Sequence, residues 1–337
     1  MRTEPERHPY DLSDSDLALV AVLQDDPRAS WANVGAAVGV SAQTARRRWE
    51  VIADAGAAWI TTHVGPWGDL LVGLVELRCR PGSAGEIAAV LRGHPKIMTI
   101  TGMTGDHDLV LTIMVGDMLE FRRIVQNALA QPEGVTGVRS TIVTRMFSEG
   151  SRWRAVGEPQ EQARVRAAPP IDVFQPDRRQ WHTVLGVLER DGRASGATVA
   201  EAIGVSEPHG RRVLQRLLDT RRIRQRVDVS LEQRLWPHAL ALWMVVPAAR
   251  LEATALQIAD LPMTRMCAAL AGGASNLYVI VWLRDLSEAA TIEAEIVRSL
   301  EVRVADRALL LHYYKRLGHV FDEENRHEGH VSWLGEG

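Results

Sequence analysis

Cysteine and lysine are scarce in this chain of 337 residues, and no long apolar run occurs in it. The two cysteines, Cys79 and Cys267, fall one in each half, which excludes a disulfide framework and favours the reducing cytoplasm. No apolar stretch reaches the ~18 residues of a membrane span, and the first residues lack the apolar core of a signal peptide. We therefore expect a cytoplasmic protein with no membrane partner.

Basic charge in this chain is almost entirely arginine, because Lys96 and Lys315 are the only lysines. The formal net charge is −3 at pH 7, so the chain as a whole has no basic bias. DNA binding remains compatible with this balance, since it depends on the charge of one local surface rather than of the whole chain. The length allows two or more domains.

The feature that organises the chain is a repeat in which matching residues lie 165 positions apart. Three short matches share this offset: Arg28-Ala29-Ser30 with Arg193-Ala194-Ser195, Gly39-Val40-Ser41 with Gly204-Val205-Ser206, and Arg46-Arg47 with Arg211-Arg212. Such an offset is far longer than the ~20–50 residues of a solenoid unit. It indicates that a whole protein was duplicated and fused.

Each copy predicts the same order of elements. Helical spacing of apolar residues, with Ser at helix starts and Gly at an end, predicts three helices and a short strand between residues 12 and 64. The period then changes, and residues 70–147 and 239–314 each predict β-α-β-β-α-β, the ferredoxin-like order. The fold class is therefore α+β, a winged helix-turn-helix followed by a ferredoxin-like domain, duplicated in one chain.

The predicted domain boundaries follow from this order. They are 1–66 for the first helix-turn-helix, 67–148 for the first ferredoxin-like domain, 149–175 for a linker, 176–233 and 234–320 for the second pair, and 321–337 for a tail. Pro159 and Pro169-Pro170 mark the linker. The tail is polar and His-rich, and we expect it to be solvated and partly disordered rather than metal-binding.

The third predicted helix of the first copy has an apolar and a polar face. At about 100° per residue, Ala45, Trp49 and Ile52 share the side that we expect to pack inward. The candidate DNA-binding residues lie on or beside the other side: Ser41, Gln43, Thr44, Arg46, Arg47 and Arg48. Arg and Gln carry forked hydrogen-bonding groups that match base edges in a major groove, and Ser at the helix start directs backbone N–H groups towards a phosphate.

The second copy predicts the same kind of helix, with Gly210, Leu214 and Leu217 inward. Its candidate DNA-binding residues are Ser206, His209, Arg211, Arg212, Arg216 and Arg222. Arg221, Arg224 and Arg226 continue the basic stripe into the strand that would form a wing, where we expect them to contact phosphates. The alternative for both helices is a helical domain with a solvated arginine face.

Each half resembles regulators of the leucine-responsive/asparagine family (Lrp/AsnC). The segments that carry the resemblance are Asp26-Pro27-Arg28-Ala29-Ser30, Gly39-Val40-Ser41, the Arg-rich helix, residues 101–109, residues 270–277 and residues 314–319. The resemblance implies a transcriptional regulator that binds double-stranded DNA and forms homo-oligomers, here a dimer of the duplicated chain. It also implies a small-molecule effector, an amino acid in most relatives, and no cofactor.

The resemblance places the effector near a Gly-x-x-Asp turn. The corresponding residues are Gly102, Thr104, Gly105 and Asp108 in the first half and Gly273 and Asn276 in the second. Glycine lets backbone N–H groups approach a carboxylate, and Asp108 supplies an acceptor for an ammonium group that Asn276 does not. The alternative is a tight hairpin turn in which Asp or Asn bonds its own backbone.

Two other functions remain as alternatives. One is an architectural protein that binds DNA through phosphates with little sequence preference. The other is an enzyme, since some tetrapyrrole decarboxylases resemble this family in fold, with an acid–base residue among His63, His94, His107, His238 and His312. We expect no enzyme and no metal site, because none of these histidines pairs with an obvious nucleophile or metal ligand in the sequence.

Overall fold

The computed structural model describes residues 10–64, 70–130, 132–150, 177–220, 222–230, 237–323 and 327–335. The predicted linker from residue 151 onward, with its prolines, lies outside the described residues, and so does Arg221. Among the described residues, no helix is long and apolar enough to cross a membrane.

The first helical unit consists of α1 (Asp14–Asp25), α2 (Trp31–Val38), α3 (Ala42–Asp54) and the strand β1 (Ala58–Val64). Ser13, Ser30 and Ser41 each accept a hydrogen bond from a backbone N–H in the first turn of the helix that follows. Gly39 ends α2 with a φ of 73°, a left-handed conformation that costs glycine little. These local signals explain why the helix boundaries were predictable.

A β-α-β-β-α-β module follows. Its elements are β2 (Leu71–Cys79), α4 (Ala84–Leu91), β3 (Ile97–Met103), β4 (Leu109–Val115), α5 (Met118–Arg123) and β5 (Val135–Ser148). A π-helical turn, Ile124–Ala128, extends α5. The predicted element order of residues 70–147 is confirmed.

The same two arrangements occur again along the chain. The second helical unit contains α6 (Arg178–Arg190), α7 (Gly196–Ile203), α8 (Glu207–Asp219) and β6 (Ile223–Val229). The second module contains β7 (His238–Val245), α9 (Leu251–Ala259), β8 (Thr264–Ala271), β9 (Leu277–Leu283), α10 (Glu288–Leu300) and β10 (Arg303–Arg316). Two short strands follow, β11 (His319–Phe321) and β12 (His327–His330).

The two modules share one closed sheet. The strand order is β10-β3-β4-β2-β5-β8-β9-β7, and β7 pairs with β10 to close the ring. Two long strands make this possible: β5 pairs first with β2 and then with β8, and β10 pairs first with β7 and then with β3. A barrel without free lateral edges results, with side chains of both modules in its interior.

The two helical units are also joined by a sheet. β1 and β6 form a two-stranded antiparallel ribbon, which we call the inter-unit ribbon. Each strand completes the core of the other unit: Val227 and Val229 of β6 pack among α1–α3, and Val64 of β1 packs among α6–α8. Within the described residues, the strand predicted as a wing therefore pairs across units instead of folding back on its own helices.

The tail corrects one expectation. Residues 327–335 are packed against the rest of the molecule, and Trp333 is only 7% exposed. The Trp333 Nε1–H donates to the Met114 carbonyl oxygen at 2.9 Å, and Lys96 Nζ lies 3.4 Å from the Trp333 ring centroid. The prediction of a solvated tail was wrong for these residues because the aromatic anchor and its partners are more than 200 positions apart in the sequence.

Candidate functional site

The outer face of α3 is a polar surface on a packed helix. Ala45, Trp49 and Ile52 are buried, as their spacing predicted. The exposed side chains on the opposite side include Gln43, Thr44, Arg46 and Arg47. Arg46 Nε pairs with Glu50 Oε1 at 2.8 Å on the helix surface, whereas Ser41 caps the helix and bonds Thr44 Oγ1 at 2.8 Å. A planar guanidinium, an amide and a hydroxyl are therefore presented together.

The helix α8 repeats the backbone of α3 but presents different side chains on its outer face. Gly210, Leu214 and Leu217 are buried, while His209, Arg212 and Arg216 are exposed. Arg211 is exposed and pairs at 2.6 Å with Glu207, one turn before it, whereas Arg46 pairs with Glu50, one turn after it. Pro208 lies in the first turn, and Ser206 begins the helix without a side-chain cap bond. Arg222 is half-buried just beyond the helix.

Three arginines do not have the positions that the sequence suggested. Arg48 is only half-exposed, and its Nε lies 3.9 Å from Asp16 of α1. Arg224 pairs with Glu149 and is partly buried, and Arg226 is buried against Asp228. The expectation that Arg224 and Arg226 contact phosphates was wrong, because their acidic partners turn both side chains inward.

Asp228 gathers three buried arginines where the inter-unit ribbon meets the barrel. Its Oδ2 accepts from Thr61 at 2.7 Å and from Arg226 Nε at 2.8 Å, and its Oδ1 accepts from Arg265 and Arg316. Burial alone would raise the pKa of Asp228, but the three guanidinium groups outweigh it and hold that pKa well below its usual range. The cluster fixes the helical units to the barrel and leaves their outer faces outside it.

The predicted effector turns have matching structures. The backbone N–H of Cys79 donates to Asp108 Oδ2 at 2.7 Å, and the backbone N–H of Val246 donates to Asn276 Oδ1 at 2.9 Å. Each side chain thus ties its hairpin turn to the neighbouring strand. The alternative from the sequence was that Asp or Asn bonds the backbone of its own tight turn. The bonds have the same stabilising character but go to the neighbouring strand instead.

Each turn also meets the other module. Thr104 exchanges two hydrogen bonds with Leu309 of β10, at 2.9 and 2.8 Å, and a Cβ on Gly105 would lie 3.4 Å from the Arg307 carbonyl oxygen. Gly273, with a φ of 81°, lies beside Thr141 of β5. Gly102 is packed against Tyr314 of β10. Four of the six predicted effector residues therefore contact the other module: Gly102, Thr104 and Gly105 contact β10, and Gly273 contacts β5.

The sequence indicated His107 as a candidate but not the ionisable residues that surround it beside the first turn. His107 is buried in the barrel interior, where its Nε2 lies 3.0 Å from Asp306 Oδ2, 3.3 Å from Glu76 Oε2 and 3.0 Å from a terminal nitrogen of Arg139. Glu76 is 2% exposed and pairs with Arg139. The one signal in the sequence was that Glu76 lies within an otherwise apolar stretch of β2, which indicated that a carboxylate is buried there.

The other histidines considered for catalysis are dispersed. His63 is buried with Nδ1 bonded to the Val64 carbonyl oxygen, His94 accepts from the Lys96 backbone, and His312 packs edge-on against Tyr314. His238 begins β7. Among the described residues, no group of three or more His, Cys, Asp or Glu side chains is arranged to hold a metal ion.

A cavity of about 1080 Å³ lies between the first helical unit, the end of α6 and the tail. Its wall includes Trp59, Glu189, His319, His327 and His330, and none of the six predicted effector residues. Burial raises the pKa of Glu189, whose carboxylate accepts from Ser332 and from the Trp333 backbone. Trp59 stacks on His327 at 5.5 Å, so the tail and the inter-unit ribbon meet at this wall.

Two family models match the first half of the chain. Residues 12–50 match the AsnC-type helix-turn-helix domain, and residues 73–153 match the Lrp/AsnC ligand binding domain. The first match covers α1, α2 and most of α3, and the second covers the first module almost completely. The sequence alone indicated both domain types.

The similar curated proteins are regulators of about half this length. A helix-turn-helix transcriptional regulator of Pyrococcus horikoshii is 23% identical over 153 residues, which is 44% of this chain and 97% of that protein. The transcriptional regulator AzlB of Bacillus subtilis is 27% identical over 138 residues, 39% of this chain and 88% of that protein. Together with the two domain matches, both relatives support a DNA-binding transcriptional regulator.

Solved structures of a siroheme decarboxylase are similar over most of the chain. The siroheme decarboxylase NirDL aligns with a TM-score of 0.56 and 16% identity, covering 93% of this chain and 96% of that one. At this identity the likeness concerns the fold alone. It extends over both helical units and both modules.

Proposed function

We propose that the protein is a sequence-specific, DNA-binding transcriptional regulator that acts in the cytoplasm. The observation that carries the proposal is the outer face of α3, where Gln43, Thr44 and Arg47 are exposed on a helix whose inner face is packed. Arg212 of α8 occupies the position of Arg47 in the second helical unit. A helix of this kind fits a major groove, and its arginine and amide groups match base edges.

The test replaces Arg47 and Arg212 by Ala together and measures binding to the DNA upstream of the protein's own gene over a range of salt concentrations. We expect a loss of about tenfold or more in affinity, because an arginine that reads a base contributes ~1–3 kcal/mol. The matched control replaces Arg122 and Arg298, two exposed arginines on the helices of the modules. Equal affinity and equal salt dependence in both variants would overturn the proposal.

Footprinting separates regulation from architectural binding. A regulator protects a few defined sites, whereas a protein that binds through phosphates alone covers DNA evenly. The inward arginines Arg224 and Arg226 reduce the phosphate-facing charge on which the architectural alternative depended. We therefore favour regulation.

We also propose that the chain arose by duplication of a unit consisting of one helix-turn-helix and one effector domain. The repeated element order and the reappearance of Arg-Ala-Ser and Gly-Val-Ser at a constant offset support this origin. The division into 1–66, 67–148, 176–233 and 234–320 follows from it. Further assembly into a dimer of the whole chain stays a prediction, which sedimentation of the purified protein would check.

A small-molecule effector, of amino-acid type, remains part of the proposal. Its support is the position of the Asp108 and Asn276 turns at contacts between modules, where a ligand would affect both halves. Asp108 has a carboxyl group where Asn276 has an amide, so we expect sensing to be biased to the first half. Comparing Asp108→Ala with Asn276→Ala in effector-dependent DNA binding tests this, and equal loss in both would contradict the bias.

An enzyme acting on a tetrapyrrole is the second candidate. The observation that favours it is the whole-chain likeness to the siroheme decarboxylase NirDL. His107, buried beside Glu76 and Asp306, is the described histidine best placed for proton transfer. The purified protein would then change the absorption spectrum of added haem or siroheme. If the spectrum does not change, and if a His107→Asn variant still binds DNA, the enzyme hypothesis is excluded and the regulator hypothesis stands.

A further inference from the structure

The inter-unit ribbon has a local twofold axis. Ala58 pairs with Val229 and Val64 pairs with Ile223, while Thr61 lies opposite Arg226. Residues 165 positions apart are equivalent in the two copies, so Thr61 faces its own equivalent at the centre of the ribbon. The backbone register is therefore the same when read from either strand, and the axis passes between Thr61 and Arg226.

Two arginines repeat this symmetry in the turns between the first two helices of each unit. Arg28 donates to the carbonyl oxygens of Gly192 and Ala194, each at 2.6 Å. Arg193 donates to the carbonyl oxygens of Pro27 and Ala29, which are the equivalent atoms in the first unit. Each fork of two charge-assisted bonds crosses the axis, so the ribbon and the arginines hold the two helical units as one body.

The outer faces that this body presents are not symmetric. Gln43 of α3 is equivalent to Pro208 of α8, and Thr44 is equivalent to His209. An amide at the first of these positions can bond an adenine edge in two places, whereas proline offers no donor or acceptor there. Arg47 and Arg212 are the same residue type, and both are exposed. The backbone thus repeats with twofold symmetry while the base-reading side chains differ.

We propose that one chain reads a bipartite, non-palindromic duplex DNA site, in which two unlike half-sites lie at a fixed spacing. This inference rests on the proposed function and adds the nature of the operator. A symmetric dimer with two identical reading helices binds a palindrome, because the twofold axis of the protein coincides with that of the DNA. Here the same axis relates two helices whose base-contacting side chains differ. The two half-sites are therefore placed symmetrically about the axis, but their DNA sequences are different.

The experiment selects binding sites for the full chain from random duplex DNA. The expected consensus has two conserved half-sites at one spacing, with different sequences when each is read towards the centre. The double variant Pro208→Gln/His209→Thr gives α8 the residues of α3 at these two positions, and its second half-site shifts towards the sequence of the first. The reciprocal variant, Gln43→Pro/Thr44→His, shifts the first half-site towards the second and covers the case in which one variant fails to fold.

The control variant Glu201→Gln/Ala202→Thr changes two exposed residues of α7 and leaves the consensus unchanged. Selection against the wrong half-site amounts to about tenfold or more for each two-bond contact that is lost. A palindromic consensus for the unaltered protein, a single half-site, or variants that select the original sequence would each overturn this inference while DNA binding stands. Failure to retain any DNA would instead overturn the proposed function.

Discussion

Asp228 holds the side chain of Arg226 of β6 in the interior, away from the outer surface. It is 2% exposed and bonded to Thr61, Arg226, Arg265 and Arg316, so one carboxylate compensates three buried guanidinium groups in part. Crowding of the cations is visible at Arg265, where burial and then Arg226 and Arg316 lower the pKa to about 9. Loss of the carboxylate would leave three cations facing one another.

We expect Asp228→Asn to destabilise the protein by about 3–5 kcal/mol, because it removes one partner of a buried charged network. Chemical denaturation followed by circular dichroism measures this change. The control is Asp106→Asn, at an exposed carboxylate 3.6 Å from Arg78, where a surface pair contributes at most about 1 kcal/mol. Similar losses in the two variants would contradict the structural role of Asp228.

Residue positions were predictable from the sequence where the determinants are local. Ala45, Trp49 and Ile52 are buried because a helix brings positions three and four apart onto one side. The inward turn of Arg224 was not predictable, since its partner Glu149 is 75 positions away. Arg226 pairs with Asp228 two positions on, but Arg265 and Arg316, which complete that buried network, come from β8 and β10. The bond from Cys79 to Asp108 likewise joins residues 29 positions apart.

At the scale of elements, the two helix pairs use glycine on opposite partners. The first pair has Gly35 on α2 and Ala45 on α3, and the second has Ala200 on α7 and Gly210 on α8. A Cβ on Gly210 would lie 2.5 Å from the Ala200 Cβ, so α7 and α8 are too close for two alanines. The glycine in the middle of α8, unfavourable by its intrinsic helix propensity, is explained by this approach.

We expect Gly210→Ala to destabilise the second helical unit by about 1–3 kcal/mol, since overpacking at a backbone contact outweighs the gain in helix propensity. Adding Ala200→Gly restores the arrangement of the first pair and recovers most of the loss. Hydrogen exchange of α7 and α8 reports the effect locally. A stabilising Gly210→Ala would mean that the helices have room to separate.

The hairpin of β11 and β12 is a second element with its own chemistry. His319 Nδ1 and His327 Nε2 lie 2.9 Å apart, and the rings of His319 and His330 are 4.8 Å apart. Burial lowers the pKa of all three imidazoles, that of His330 to about 4. Lys315 and Arg316 add positive charge and Asp228 adds negative charge around them.

We expect the docked hairpin to loosen as the pH falls from about 6.5 towards 4. In the released segment, the histidines bind protons near their ordinary pKa, whereas in the docked segment they resist protonation. Docking is therefore strongest above the ordinary histidine pKa and weakens below it, by ~1.4 kcal/mol per pH unit for His330. Hydrogen exchange of residues 327–335 against pH measures the change. A His330→Asn variant should have a flatter profile, and an unchanged profile would contradict this account.

At the scale of the whole molecule, the two halves depend on each other in two places, the closed barrel and the inter-unit ribbon. The closed barrel needs β5 to pair with β8 and β10 to pair with β3, and the inter-unit ribbon supplies a strand to each helical core. The repeated order of elements was predictable from composition and periodicity. The closure was not, because it depends on which edges meet across a separation of more than 100 residues.

We expect the double variant Arg28→Ala/Arg193→Ala to bind a two-half-site duplex about tenfold more weakly or worse, with single half-sites unaffected. The reason is that the variant no longer holds the two helical units at a fixed spacing. It therefore loses the gain in affinity that comes from binding both half-sites at once. Duplexes with half-sites moved apart by half a helical turn provide the measurement. The unaltered protein should discriminate strongly among them, and equal discrimination by the variant would show that the ribbon suffices.

The covalent link between the two helical units changes how such a regulator responds to its own abundance. Two separate subunits must first find each other, so at low concentration the amount of competent dimer rises with the square of the amount synthesised. Here the partner strand in the ribbon is always present at the high effective concentration of a tethered segment. Operator occupancy would then follow gene dosage in direct proportion, and a few copies per cell would already be competent.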